Sequence, residues 1–271
     1  MNNSAPIFLY DKSFDGFLCC LFQSYARSLW PSAIIGTGEQ IPGIWQQLVH
    51  IYTDEVQAER VWNGLKEKIT EKLADELFRI HFSEMENIDI PLFGYMRKVF
   101  DKGPGIIANY ADPDIKAVLD IQHKLNREAC RVAQFVRFQK TADDIYFAAY
   151  NPEYNVIPMV LHHFEDRFAD QRWMIYDIRR KRGYFFDGKE VQWVSLVPEK
   201  LNERSGELEP EILSGDELLF QELWIQYFKS ICIGERLNLK LHMQKIPKRY
   251  WPLLTEKKDR TGKIHKKNTD L

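Results

Sequence analysis

Residues 135–151 read FVRFQKTADDIYFAAYN, and across them the apolar rhythm of the chain changes. FVRFQKT (135–141) and IYFAAYN (145–151) read as alternating segments on either side of the turn-forming ADD. That is the pattern of a β-hairpin. Beyond it, VIPMVLHHFEDRF (156–168) returns to helical spacing, and RWMIYDI (172–178), GYFFDG (183–188) and EVQWVSL (190–196) each read as a strand. The order β-β-α-β-β-β predicts an antiparallel sheet with helices packed on it, an α+β fold.

Upstream of the hairpin the period is mainly 3.6. Phe14, Phe17, Leu18, Leu21, Phe22 and Tyr25 form a helical stripe within 13–29, with short strands expected at 6–11 and 46–53. Asp54 is placed to cap the helix that follows it, and 71–82 and 90–100 read as two more. The turn-rich DKGPGIIANYADPD (101–114) precedes a long helix, 114–134, with Asp114 as its expected cap. Asp216 is placed to cap an aromatic helix after the loop 198–215. Three regions are therefore expected: a mainly helical 1–113, an α+β region 114–254, and a basic tail 255–271 expected to be disordered.

With 271 residues, 45% hydrophobic and 28% charged, the chain has apolar surface enough for a packed core. A formal net charge of −2 excludes a uniformly basic, histone-like protein. The charge is unevenly placed, however. Residues 245–271 hold nine Lys/Arg and three Asp/Glu, a surplus of six, which leaves a deficit of eight in the first 244. A basic end on an acidic body fits contact with an anionic partner such as nucleic acid, and equally fits a solvated tail. Cys19, Cys20, Cys130 and Cys232 form no Cys-x-x-Cys pair and no metal-ligand spacing, so no metal or cofactor is expected. MNNSAPIFLY lacks a basic segment ahead of a long apolar run, and no stretch is long and apolar enough to span a bilayer. A cytoplasmic protein without membrane contact is the expectation.

Several constellations are candidates for chemistry. LHHFEDRF (161–168) puts Leu161, Phe164 and Phe168 on one helical stripe with Ile157 and leaves the polar residues on the other side. His162 and His163 are adjacent, about 100° apart around a helix, so one helix cannot aim both at one metal ion. His162, Glu165 and Asp166 are candidates for proton transfer, set against the plainer reading of an exposed surface pair. In DIRRKRG (177–183), Arg179, Arg180, Lys181 and Arg182 crowd one strand connection and repel each other unless an anion compensates. A phosphate backbone and nearby carboxylates, such as Asp166 or Asp170, are the two alternatives.

Arg127, Glu128 and Arg131 lie on the long helix, with Arg137 expected in the next strand and Glu128 as its nearest partner in sequence. Together with Arg167 they fit either anion binding or a structural ion pair joining helix to sheet. KIPKRYW (245–251) interleaves Lys248 and Arg249 with Tyr250 and Trp251, as single-stranded nucleic acid requires: aromatics stack bases and cations hold phosphates. The alternative is that the aromatics, Trp251 in particular, pack inside.

YDKSFDGFLCCLF near the start, REACRVAQFVRF (127–138), the stretch YFAAYNPEYNVIPMVLHHFEDRFADQRWMIYDIRRKRGYFFDG and RLNLKLHMQKIPKRYW (236–251) together resemble a bacterial family. That family is known mainly as a domain of unknown function and described as "probable DNA metabolism protein". The resemblance runs from about residue 7 to about residue 256. It implies a place in DNA repair or modification beside a radical-SAM protein, which is typically encoded next to members of the family. Some members carry a C-terminal uracil-DNA-glycosylase-like domain. This chain ends at Leu271 without one, so a fused glycosylase activity is not expected. It also lacks the Cys-x-x-x-Cys-x-x-Cys of a radical-SAM cluster and is not expected to be that enzyme.

The first functional expectation is an accessory protein binding DNA, in single-stranded form on the KIPKRYW chemistry, and a radical-SAM partner. Its contacts would be Arg179, Arg180, Arg182, Lys248, Arg249 and Tyr250. A nucleotide- or damaged-base-processing enzyme using His162, Glu165 or Asp166 with an arginine clamp is the alternative. A protein–protein adaptor without nucleic-acid binding, marked by an exposed apolar patch, is the third. Whether the chain catalyses any reaction is left open by the sequence.

Overall fold

Why the chain changes rhythm at the hairpin is visible in a computed structural model, which describes residues 5–41, 46–195, 198, 200–233, 236 and 238–257. The chain divides into two compact units, Met1–Asn126 and Arg127–Leu271.

The first unit opens with β1 (Ile7–Tyr10), α1 (Phe14–Arg27), β2 (Ala33–Gly36) and β3 (Leu48–His50), the strands forming a parallel sheet in the order β2-β1-β3. Ile7, Leu9 and Ile35 pack together in it, and all four residues of the central strand β1 are buried, which explains why IFLY is apolar at every position: both its faces are covered. AIIG, the β2 segment, is too short to show a period, and no sequence pattern marks it. Helices α2 (Glu55–Lys68), α3 (Glu71–His81) and α4 (Asp89–Lys102) follow. As expected, Asp54 caps α2, its side chain accepting from the N–H of Gln57. Leu65, Leu77, Ile80, Leu92 and Met96 are buried, and Cys19 and Cys20 are buried with them as small apolar groups.

Helix α5 (Pro113–Phe135) contains residues of both units. Its cap is Asp112, which accepts from the N–H groups of Asp114 and Ile115. This corrects the placement of the cap at Asp114, because Pro113, with φ set and no donor, takes the first helical position. The carboxylate of Asp114 instead meets Lys98 at 2.7 Å.

The second unit carries the α+β layer. Strands β4 (Gln139–Lys140), β5 (Ile145–Tyr150), β6 (Arg172–Asp177), β7 (Arg182–Phe186) and β8 (Val191–Val194) pair in chain order, with α6 (Leu161–Arg167) between β5 and β6. Two details differ from the alternating pattern. FVRF is the last turn of α5 and the turn leaving it, since the N–H of Val136 still bonds to the carbonyl of Val132; only Gln139 and Lys140 pair with β5. And the β5–β6 pair is parallel, the other pairings in this sheet antiparallel. A helix between two strands carries the chain back to the starting edge, so the second strand runs the same way as the first. α6 is shorter than its apolar stripe, preceded by the single 3-10 turn Ile157–Met159. Phe164 docks it, lying 6.0 Å from the ring of Trp173 and 5.9 Å from that of Phe138.

After the sheet come a two-stranded hairpin, β9 (Leu201–Asn202) and β10 (Glu207–Leu208), then α7 (Glu217–Ile231), α8 (Leu239–Lys245) and the 3-10 segment Lys248–Leu253. Asp216 sits at the start of α7 without a side-chain capping bond, its backbone already helical. Glu217 is the buried acid there and accepts from the N–H of Lys140. Residues 258–271, most of the basic tail, lie outside the described residues. Among the described residues, no helix is long and apolar enough to cross a membrane.

Candidate functional site

Because β5 and β6 are parallel and in register, with Tyr150 opposite Asp177, both chains leave the sheet side by side. The carboxyl ends of parallel strands are where α/β layers place their ligands. Here the two exits are Asn151–Val156 and the β6–β7 connection, and arginines from three parts of the sequence meet on them.

Glu128 of α5 is the centre. It is 1% exposed, and it accepts from Arg249 Nη2 at 2.8 and 3.0 Å, from Arg131 Nη1 at 3.2 Å, from the N–H of Glu153 at 3.0 Å and from the hydroxyl of Tyr250. Burial alone would push this carboxyl up. The bonds from Tyr250, the Glu153 N–H and Arg249 outweigh it and hold the group below its ordinary value. Arg249 also reaches Glu153 at 2.8 Å, and Arg179 donates to the Glu153 carbonyl at 2.9 Å. Arg180 pairs with buried Asp177 at 3.1 Å and donates to the Pro152 carbonyl at 3.3 Å. Arg131, Arg179, Arg180 and Arg249 thus gather around three acidic residues. Those residues hold the guanidinium groups rigid, while Arg179 and the outer face of Arg249 meet solvent. Lys248 is exposed beside them.

The sequence candidates separate accordingly. Arg131, Arg179, Arg180 and Arg249 converge; Arg180 is largely committed to Asp177, with its side chain 7% exposed. The compensating acids are Asp177 and Glu153, not Asp166 or Asp170. Arg182 opens β7, close enough to Asp177 to oppose the rise that burial imposes on that carboxyl. Lys181 faces Glu203 at 3.9 Å. Tyr250 is fully buried, stacked on Tyr150 at 4.8 Å and 18°, so it is not available to stack a base. Trp251, expected to be the more buried of the two, is the less buried, because Glu128 draws the tyrosine hydroxyl inward.

Arg137 leaves the group. It is in the turn rather than a strand, and its partner is Glu256 at 2.7 Å, not Glu128. Arg127 and Arg167 are exposed, the latter over the ring of Phe168 at 5.7 Å. His162 is a surface residue, its side chain 86% exposed, 3.4 Å from Asp166 and 3.9 Å from Glu165. Among the described residues, no group of three or more His, Cys, Asp or Glu is placed to hold a metal ion.

Two features of the first unit were not marked by any sequence pattern. A cleft of about 350 Å³ is lined by Trp30, Phe93, Arg97, Lys98, Lys102 and Asp114, with the Arg97 guanidinium 3.6 Å from the centre of the Trp30 ring. At the carboxyl end of β1, the Tyr10 hydroxyl donates to Asp89 at 3.4 Å, and the buried ring of His81 lies 3.9 Å from the same carboxylate. Burial, reinforced by Glu39, raises Asp89 to about 6, and burial lowers His81. Each group joins segments tens of positions apart, Trp30 to Phe93 in the first and Tyr10 to His81 in the second, and no local spacing announces it.

Fold and site together define an α+β protein with a mixed sheet whose parallel strand ends carry an arginine–carboxylate cluster. The chain belongs to the family described as a domain of unknown function, DUF4130, which matches residues 86–256 and therefore the whole of that sheet and cluster. No curated protein was found to match the chain.

Proposed function

We propose that the chain is an accessory protein of DNA repair or modification that offers a rigid arginine rim to a phosphate backbone and works with a radical-SAM partner enzyme. The observation that carries the nucleic-acid part is the convergence of Arg131, Arg179 and Arg249 on the ends of β5 and β6, held by Glu128 and Glu153. Prepositioned guanidinium groups lose little freedom on meeting a phosphate and match its geometry with two donors each. The DNA pathway and the partner rest on the resemblance to "probable DNA metabolism" proteins. No base-stacking role is given to Tyr250, and backbone contact without sequence preference is the expected mode.

The test is fluorescence anisotropy with single- and double-stranded oligonucleotides across a salt series, with and without the radical-SAM partner. Binding that falls steeply with salt, and falls further in Arg179→Ala and Lys248→Ala, is expected. No binding at low salt in any of these mixtures would overturn the proposal. A protein–protein adaptor is the second reading, favoured by the exposed apolar side of α7.

A further inference from the structure

α7 packs on the unit through one side and leaves a second, apolar side uncovered. At 100° per residue, Glu217, Gln221, Ile225 and Phe228 share one side and pack on the unit. Glu217 accepts from the N–H of Lys140, and Lys257 lies over the ring of Phe228 at 5.7 Å. The neighbouring side carries Leu219, Phe220, Leu223, Trp224, Tyr227 and Ile231, which are 39% to 62% exposed. Surface helices ordinarily show water a polar face. These six residues expose roughly 700 Å², beyond the ~300–600 Å² that is the largest patch on a typical monomer and close to the ~800 Å² each partner gives to a stable interface.

Two properties of this face choose its occupant. Phe220, Trp224, Tyr227 and Ile231 are spaced four, three and four apart, the repeat that seats one helix along another of the same kind. α7 also contributes no charge to the face: Glu222 and Lys229, its charged residues besides buried Glu217, both point to the far side. Among the described residues, charge reaches the face at Trp224, whose ring lies 5.5 Å from the Arg137 guanidinium and whose indole donates to Glu256, itself paired with Arg137, so that the two charges offset each other. Such a face presents no repulsion to its own copy and offers little for a charged partner to recognise.

We infer that α7 is a self-association surface, pairing two copies of this chain through Phe220, Leu223, Trp224, Tyr227 and Ile231. The helices run antiparallel about a two-fold axis near residue 225, which sets Phe220 of each copy against Ile231 of the other and Trp224 against Tyr227. The pairing would place the arginine rim in two copies on one particle. It does not depend on the nucleic-acid reading, which the oligonucleotide titration tests separately.

Sedimentation equilibrium of the full chain tests it across a concentration series. The expected mass is twice the 32.1 kDa of one chain. Phe220→Lys and Ile231→Glu, both at exposed positions, are each expected to sediment as monomers with an unchanged circular dichroism spectrum. Mixing the two variants should restore the dimer. An antiparallel pair of the two joins the introduced lysine to the introduced glutamate at one end and keeps the native Phe220–Ile231 contact at the other. A monomeric wild type, a dimer that both variants leave intact, or a mixture that stays monomeric would each overturn the proposal.

Discussion

Arg249 and Glu128 stand 121 positions apart, yet one guanidinium nitrogen of the arginine bonds both oxygens of the glutamate, at 3.0 and 2.8 Å. The pair ties the 3-10 segment Lys248–Leu253 to α5 and closes the carboxyl end of the sheet. Glu128→Ala would leave Arg131 and Arg249 without their shared counter-charge, at a cost of about 3 kcal/mol. Tyr250→Phe removes one donor and should cost about 1–2 kcal/mol. Urea unfolding separates the two, and equal midpoints for both variants would contradict the central place of the carboxylate.

The same pair sets an acid limit. Glu128 is held below its ordinary value of 4.5 although burial works against it, and Glu256, beside Arg137 and Trp224, is likewise held down against burial. A depressed carboxyl contributes stability that is present above the unfolded value and lost as pH falls through the folded one. Thermal midpoints are expected to drop as pH falls below about 4.5, the ordinary glutamate value. Glu256→Gln should flatten that drop.

Asp89 carries the opposite sign. Burial, with Glu39 adding to it, raises it from 3.8 to about 6, so the folded state keeps a proton that the unfolded state has lost. Stability of the first unit should therefore decline as pH rises from 4 towards 6. Asp89→Asn is expected to abolish the decline and to raise stability at neutral pH by about 2 kcal/mol. A pH profile unchanged by this substitution would refute the assignment.

Arg179 and Arg180 are neighbours with different duties. Arg180→Ala leaves Asp177, itself 0% exposed, as a buried carboxylate without that partner and should cost about 3 kcal/mol. Arg179→Ala should leave the unfolding midpoint in place and reduce the salt slope of DNA binding by about one. Chemical unfolding and anisotropy on both variants would show the division.

At α5, Asp112→Ala removes the cap and should cost about 1 kcal/mol in thermal unfolding. Asp114→Ala should cost less, since Lys98 keeps Asp112 at 2.5 Å.

Much of this architecture could be read without coordinates, and the failures share one cause. The stripe of α1, the capping of α2 by Asp54 and the strands β5 to β8 each depend on residues within a few positions of one another. Those are the distances over which side-chain periodicity reports backbone conformation. FVRF misled because four residues with alternating apolar character also fit the frayed end of a helix. The arginines were recognised as a group needing anions, but their anions were assigned by nearness in sequence: Glu128 to Arg137, and Asp166 or Asp170 to the RRKR run.

By itself, then, the sequence determined the α+β class, the order of strands and helices around residues 135–194 and the docking face of α6. Each follows from apolar patterning and local capping, which are written into consecutive residues. Only the tertiary structure decided that β5 and β6 run parallel, that Glu128 belongs to Arg249 and Arg137 to Glu256, and that Tyr250 lies inside. Those outcomes depend on which strand ends meet. Ion pairs in a partly buried site form between the groups that folding brings within about 3 Å of each other, whatever their separation along the chain.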